Sequence, residues 1–139
     1  MPAAPPETET IFYDGHCGLC HRTVQFVLKR DSRRIFRYAP LQGTTFEQRV
    51  SPALRSSLPD SVIVLTSDGR LLTRSDAILH IYSRLGGVWN ALAAVMAIIP
   101  RPIRDAAYDF IARIRYSVFG RRSETCPVVP AELRARFDP

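Results

Sequence analysis

The fold of this chain is restricted chiefly by a junction near its N-terminus, where a short β-prone run gives way to a helical pattern. The run covers residues 10–13 and stops at Asp14-Gly15, a turn signal. From about Gly18 to Arg30 the pattern is helical, and one face carries Cys20, Val24, Val27 and Leu28. A strand that leads directly into a helix is typical of α/β proteins.

The segments that follow extend this junction into an ordered series of strands and helices. A second β-prone run covers residues 35–39 and ends at Pro40, and residues 45–58 form a weaker helical stretch broken at Ser51-Pro52. The apolar run 62–65 predicts a strand buried on both faces, and Ser67-Asp68-Gly69 predicts a hairpin turn before the returning strand 70–73. The order β-α-β-α-β-β-α predicts a thioredoxin-like α/β sandwich, with a parallel β-α-β unit first, then a β-hairpin and helix, and additional C-terminal helices.

The helices after the hairpin are predicted from caps and apolar spacing. Ser75 is a favoured N-cap, Asp76 complements the helix dipole, and Gly86-Gly87 ends the helix. The buried face of this helix is predicted to hold Ile78, Ile81, Tyr82 and Leu85. Residues 88–99 read as an apolar helix, and residues 103–118 as an amphipathic helix with Ala107, Phe110, Ile111 and Ile114 inward. We expect both helices to extend the core rather than to lie on a membrane surface.

Length and composition fit one ordinary globular domain. With 139 residues, 46% of them hydrophobic, the chain can bury a core without disulfide or metal staples. We predict a disordered leader at residues 1–8, a single domain at 9–127 and a C-terminal tail at 128–139. Because the N-terminal residues show neither the basic nor the apolar region of a secretory signal, the predicted location is the cytoplasm, where thiols are kept reduced.

The charge of the chain gives no sign of a nucleic-acid partner. The net charge of +6 is carried almost wholly by arginine, because Lys29 is the only lysine. The arginines are scattered along the chain and form no basic stripe with interleaved aromatic residues. This pattern favours a solvated basic surface.

Cys17 and Cys20 form a close pair at the start of the first predicted helix. In a reducing compartment such a pair suggests redox chemistry or metal binding rather than a permanent disulfide. Thiol–disulfide exchange needs a thiolate nucleophile and a second thiol that resolves the mixed disulfide. Cys17 lies at or beside the helix N-cap, where free backbone N–H groups lower the pKa of a thiol, and Gly18 permits close approach of a substrate disulfide. Cys20 lies one turn further in and suits the resolving role.

Two residues that precede the pair could support its chemistry. If His16 is protonated, it favours the thiolate form of Cys17, and if it is neutral, it is a solvent-facing loop residue. Asp14 either relays the proton of Cys20 or forms an Asx turn or helix cap. The sequence leaves both alternatives open at each position.

The segment Tyr13-Asp14-Gly15-His16-Cys17-Gly18-Leu19-Cys20 resembles the Asp-x-x-Cys-x-x-Cys signature of the DCC family of thiol-disulfide oxidoreductases, also known as domain of unknown function 393. Arg74-Ser75-Asp76-Ala77 matches as well, and the similarity covers about residues 10–127. The other matches lie at residues 26–31, 38–42, 60–62, 104–108 and 115–120 and at Cys126.

This resemblance implies a thioredoxin-like fold and a redox-active dithiol at Cys17 and Cys20. We expect no organic cofactor and no metal. The expected partners are a disulfide- or thiol-containing protein or small molecule and a thiol system that donates or accepts electrons. The resemblance does not imply a particular substrate.

The chain departs from the general thioredoxin pattern in the loop before the third strand. Thioredoxins place a cis-proline there, facing the dithiol. In this chain Pro59 is followed by Asp60-Ser61, so that either Ser61 takes the expected position or the loop is remodelled. The candidates for substrate docking are Asp60, Ser61, Ser75 and Asp76.

Three alternatives to a catalytic dithiol remain open. The string Cys17-Gly18-Leu19-Cys20-His21 also matches the attachment motif of c-type haem, with Met96 as a candidate second axial ligand. Cys17 and Cys20 could instead bind zinc, completed by His16, His21, His80 or Cys126. The third alternative is a non-catalytic binding module with the same fold. Cys126 is either a third functional thiol or a cysteine without a catalytic role.

Overall fold

The computed structural model describes residues 8–14, 18–41, 43–58, 62–119 and 136–138. This part of the chain contains four strands and six helices in mixed α/β order, consistent with the predicted thioredoxin-like fold. The elements are β1 (Glu9–Tyr13), α1 (Gly18–Arg30), β2 (Phe36–Pro40), α2 (Thr44–Arg49), α3 (Pro52–Ser57), β3 (Ile63–Leu65), β4 (Leu71–Thr73), α4 (Arg74–Leu85), α5 (Gly87–Met96) and α6 (Arg101–Phe119).

The four strands form one mixed sheet in the order β2-β1-β3-β4. β1 and β2 are parallel, with Glu9 opposite Phe36, as a β-α-β unit requires. β3 runs antiparallel to β1, and β4 runs antiparallel to β3 through the predicted hairpin. The strand directions therefore follow the order that the sequence predicts.

The core occupies both faces of the central strand β1, because its successive side chains point to opposite sides. Ile11 and Tyr13 pack with residues of α1 and α4, among them Val24, Val27 and Ile81. Phe12 points to the other face, where it packs with Ala39, Val50 and Ile63. Its ring meets that of Phe46 edge-on at 5.0 Å between centroids. Two buried faces explain why β3 is a continuous apolar run rather than an alternating one.

A short C-terminal segment, residues 136–138, lies against the outer edge of β2. The Tyr38 N–H donates to the Arg136 carbonyl at 3.0 Å, and the Asp138 N–H donates to the Tyr38 carbonyl at 2.7 Å. Most of the predicted tail, like leader residues 1–7, lies outside the described residues. The predicted domain boundaries therefore stay predictions, but this piece of the tail belongs to the sheet.

The predicted inward face of α6 is wrong. Phe110 is 60% exposed and Ile111 is 45% exposed, and Ala107 is exposed as well. The face of α6 that meets the domain is polar instead. Its side chains Asp105 and Asp109 bond to residues of α4, and Tyr108 bonds to the residue before β3. Apolar spacing located this helix correctly but could not show which face meets the domain.

α5 also departs from the expectation that it extends the core. Only Ala93 of this helix is fully buried, whereas Val88 and Val95 are largely exposed. No helix in the described part of the chain combines the length and apolar content needed to cross a bilayer.

Candidate active site

The strand directions bring several chain segments to one edge of the sheet. β1 ends at this edge with Tyr13, β3 begins here with Ile63, and β4 ends here with Thr73. The register confirms the alignment, since Phe12 lies opposite Ile63 and Ile63 lies opposite Thr73. The start of α1 and the start of α4 follow directly. We call this edge the α1/α4 edge.

α1 begins at Gly18, as the sequence predicts. Its first backbone N–H groups have no partner within the helix and open toward the residues that precede it. Cys20 is therefore in the first turn, one residue beyond Leu19. Gly15, His16 and Cys17 lie outside the described residues, and so do the side chains of Cys20 and His21. The relation between the two sulfurs stays a prediction.

Asp14 follows β1 directly and is only 3% exposed. A carboxylate in this position is shielded from water at the same edge of the sheet as the start of α1. Burial of an acid is costly unless it is bonded, and such groups often have a chemical role. The structure thus places Asp14 at the edge of the sheet where α1 begins, and its role in the chemistry stays a prediction.

Ser75 does not cap α4, contrary to the prediction. The N-cap is Thr73, which makes no side-chain cap bond, and Ser75 lies within the first turn, 5% exposed. Its hydroxyl donates to Asp105 Oδ1 at 2.5 Å, and its N–H donates to the same oxygen at 3.3 Å. A carboxylate from α6 thus accepts the N–H that a local cap would have taken.

Asp76 and Arg74 are also bonded to α6. Asp76 pairs with Arg101 at 2.8 Å and with Arg104 at 3.3 Å, and Arg74 approaches Asp109 at 3.5 Å. The structure thus places the docking candidates Ser75 and Asp76 at the α1/α4 edge. The partners described for them are residues of α6, so both side chains help to attach α6 to α4. Asp60 and Ser61 lie outside the described residues.

Tyr108 is a residue of this edge that sequence reasoning did not single out. Its hydroxyl accepts the N–H of Val62, the residue just before β3, at 2.9 Å. It lies one turn beyond Asp105 on α6, so that a single helix contacts both the start of α4 and the approach to β3. In the sequence, the only indication that Tyr108 matters was its position in segment 104–108, which resembles the DCC family.

The pKa of Asp105 lies below its usual value, chiefly because the Ser75 hydroxyl bonds to the carboxylate. Desolvation opposes this shift, and the Ser75 N–H, Arg101 and Arg74 add to it. A carboxyl whose pKa falls on folding contributes stability above its unfolded pKa of about 3.9, and this contribution is lost as the pH falls through the lower folded value.

We therefore expect Ser75→Ala to reduce the free energy of unfolding by about 1 to 3 kcal/mol at neutral pH, because a hydrogen bond to a charged group is lost. The difference from the unmodified chain should shrink at acid pH, as the pH falls below the usual carboxyl value and the carboxylate takes up a proton. Urea unfolding at both pH values measures it. Ser56→Ala, on exposed α3, is the matched control. If Ser75→Ala lost the same free energy of unfolding at both pH values, the bond from Ser75 to an ionised Asp105 would not be the cause of the loss.

His80 lies toward the end of the sheet opposite the α1/α4 edge, where its side chain bonds to Glu9. Its Nε2 is 2.7 Å from Oε1 of Glu9, the first residue of β1, and Glu9 is 3% exposed. Glu9 and Asp14 are separated by five residues of extended chain, or about 16 Å at about 3.3 Å per residue. The structure thus places His80 beside the start of β1, whereas α1 begins after the end of β1.

The fold and the α1/α4 edge define a thioredoxin-like α/β protein whose candidate site lies where β1 leads into α1. A family model described as DCC1-like thiol-disulfide oxidoreductase matches residues 11–121. The chain belongs to this family.

Individual relatives support the assignment. The chain is 34% identical over 133 residues to the uncharacterized protein YuxK of Bacillus subtilis (strain 168), and the match covers 93% of each chain. It is 31% identical over 116 residues to a DCC family protein of Arabidopsis thaliana named as chloroplastic, covering 84% of this chain and 67% of the relative. A second Arabidopsis thaliana protein, uncharacterized and named as chloroplastic, is 24% identical over 128 residues, 91% of this chain and 57% of its own. No solved structure gives a significant match.

Proposed function

We propose that this protein catalyses thiol–disulfide exchange through Cys17 and Cys20. The observation that carries the proposal is the start of α1 at Gly18, immediately after position 17 and at the α1/α4 edge. A helix N-terminus favours a negative charge beside it and so favours the thiolate form of a cysteine there. Membership in the thiol-disulfide oxidoreductase family supports the same chemistry.

The reaction we propose transfers two electrons in two exchange steps. The Cys17 thiolate attacks one sulfur of a substrate disulfide; a Cys17–substrate bond forms, and the other substrate sulfur leaves as a thiolate that takes up a proton. The Cys20 thiolate then attacks Cys17 Sγ and forms the Cys17–Cys20 disulfide, and the second substrate sulfur leaves as a thiolate. A thiol donor, either one dithiol or two monothiol molecules, returns the protein to its reduced form by the reverse steps and is itself oxidised to a disulfide. No organic cofactor or metal takes part.

Asp14 is our candidate for the group that accepts the proton of Cys20 in the second step. Its support is a 3% exposed carboxyl at the same edge as the first turn of α1. We expect Asp14→Asn to slow resolution about tenfold or more at neutral pH and to shift the pH profile of the rate upward, because a positioned base is lost. Glu47→Gln, on the exposed side of α2, is the control. Equal pH profiles for the Asp14 variant and the unmodified chain would assign Asp14 a structural role.

The partners we propose are a disulfide- or thiol-containing substrate and a thiol system that exchanges electrons, and the proposed compartment is the cytoplasm. Asp60 and Ser61 remain the candidates to contact the substrate, because they precede β3 in the sequence and β3 begins at the α1/α4 edge. Ser75 and Asp76 are kept as docking candidates with a second, structural role toward α6. Cys126 is kept as a candidate third thiol.

The experiment that tests the function is turnover at catalytic protein concentration. Purified protein is added to glutathione and a protein disulfide, and release of substrate thiols is followed over time. We expect many substrate disulfides reduced per molecule of protein, at a rate proportional to protein concentration. The same sample is assayed for zinc and for a haem absorption band. No acceleration over glutathione alone, or a stoichiometric metal or haem, would overturn the proposal.

A further inference from the structure

The outer side of α5 and the segment that follows it form an exposed apolar surface. Val88, Val95 and Ile98 are 71%, 62% and 81% exposed, and Leu92 and Ile99 are 40% and 43% exposed. Positions 88, 92 and 95 recur at helical spacing and so share one side of α5, and Ile98 and Ile99 follow the end of the helix. We call these five side chains the α5 face. Contiguous exposed apolar side chains of this kind mark sites that bind something.

The inner side of α5 holds the helix on the domain. Ala93 is buried, and the Trp89 ring meets that of Phe26 at 4.9 Å and that of Tyr82 at 5.9 Å between centroids. α5 is therefore anchored through α1 and α4, and the α5 face is directed away from the domain. The side chains of the α5 face are exposed because the opposite side of the helix makes the contacts with α1 and α4.

Positive charge borders the α5 face at both ends. Residues 85–100 contain no charged side chain, whereas Arg84 precedes them and Arg101 follows them. Beside Trp89, the Arg30 guanidinium lies 5.2 Å from the indole ring centroid, and Arg33 donates to the Arg84 carbonyl at 2.7 Å. Carboxylates also lie at these ends: Glu9 approaches Arg84 at 3.5 Å, and Asp76 and Asp105 approach Arg101 at 2.8 and 3.8 Å. Arg30 and Arg33 add positive charge beyond these pairs.

This combination is complementary to an anionic lipid surface. Apolar side chains enter the boundary between headgroups and acyl chains, and arginines at the border attract the anionic headgroups. A second copy of the chain fits less well, because it would bring the same arginines together. With 10 residues, α5 is about 15 Å long and cannot cross a hydrocarbon core of about 30 Å, so it would lie in the plane of the interface.

We propose that the α5 face docks this protein on membranes that contain anionic lipids. The face ends beside the α1/α4 edge, because Arg104 donates to the Ile99 carbonyl at 3.0 Å and to Asp76 at 3.3 Å. Docking would hold that edge near the bilayer. The proposal rests on exposure and charge alone and does not depend on the dithiol chemistry.

The test is sedimentation of the full chain with phosphatidylcholine vesicles that contain or lack phosphatidylglycerol, at an ionic strength of about 0.15 M. We expect roughly tenfold or greater preference for the anionic vesicles, weakening as salt is raised, because arginines near an anionic surface each add to the affinity. Val95→Glu and Ile98→Glu should each reduce binding about tenfold, since a charge then opposes both insertion and the anionic headgroups. Leu54→Glu is the control, because Leu54 is 50% exposed on α3, outside the α5 face.

Three outcomes would overturn the proposal. The first is equal sedimentation with and without anionic lipid, and the second is an equal loss of binding in the Leu54 variant. The third is a dimer in analytical ultracentrifugation that Ile98→Glu dissociates, which would assign the α5 face to a second copy. The variants should keep disulfide reduction in solution, so that failure of docking is distinguishable from failure of the proposed function.

Discussion

Replacing Cys17 with serine is expected to abolish disulfide reduction, because no other group in the proposed mechanism attacks the substrate. Loss of a nucleophile costs an enzyme several orders of magnitude in rate. The rate should therefore fall to that of the donor thiol without protein. The measurement is substrate thiol release under the turnover conditions described above.

Cys20→Ser should behave differently from Cys17→Ser. It keeps the attacking thiolate but removes the resolving thiol, so the substrate stays bound to Cys17 as a mixed disulfide. Non-reducing electrophoresis and intact mass should show one substrate per protein, released by reductant. Ser56→Ala, at an exposed residue of α3, is the control; it should neither trap substrate nor abolish turnover. Turnover in the Cys17 variant equal to that of the unmodified chain would refute the mechanism.

The largest effect on stability is expected from Arg136→Met. Arg136 is 8% exposed, and its guanidinium bonds to the Asp31 carboxylate and to the Phe36 carbonyl. Asp31, 4% exposed, also accepts the N–H groups of Ile35 and Phe36 at 3.0 and 2.8 Å. The substitution leaves a buried carboxylate without its cation, which costs about 3 to 5 kcal/mol. Urea unfolding at neutral pH measures the loss.

Arg37→Met is the matched control for this prediction. Arg37 pairs with Asp138 through two bonds of 2.8 and 2.6 Å, so both arginines link β2 and its neighbourhood to the same C-terminal segment. The Arg37 pair is partly exposed, however, with 40% of the arginine side chain accessible. We expect a loss of at most about 1 kcal/mol for this variant. If Arg136→Met and Arg37→Met lost equal free energies of unfolding, burial would not explain how much the Asp31–Arg136 pair stabilises the fold.

Local pattern was sufficient to predict the elements that build the α1/α4 edge. The first helix spans Gly18–Arg30 as expected, because its apolar spacing and preceding turn lie within the same short segment. The hairpin at Ser67-Asp68-Gly69 and the helix end at Gly86 also follow from local turn chemistry. Since strand directions follow from element order, the convergence of β1, β3 and α4 could be predicted too.

Contacts between distant segments could not be predicted in this way. Ser75 has the local chemistry of an N-cap, yet its acceptor is Asp105, thirty residues later in the chain. The stripe containing Phe110 and Ile111 has helical spacing, yet the polar face of α6 meets the domain. Likewise, nothing near Asp31 in sequence shows that Arg136 will neutralise it. In each case the deciding partner is a charge or hydroxyl remote in sequence.

The reduction potential of the Cys17–Cys20 pair tests the central claim most directly. The protein is equilibrated with glutathione buffers of graded potential, and its free thiols are counted at each point. The account predicts a reversible two-electron transition of about 30 mV per decade, above about −300 mV, in the range of catalytic dithiols, and absent from Cys17→Ser. A pair that stays reduced or stays oxidised throughout, or a transition unchanged in Cys17→Ser, would contradict it.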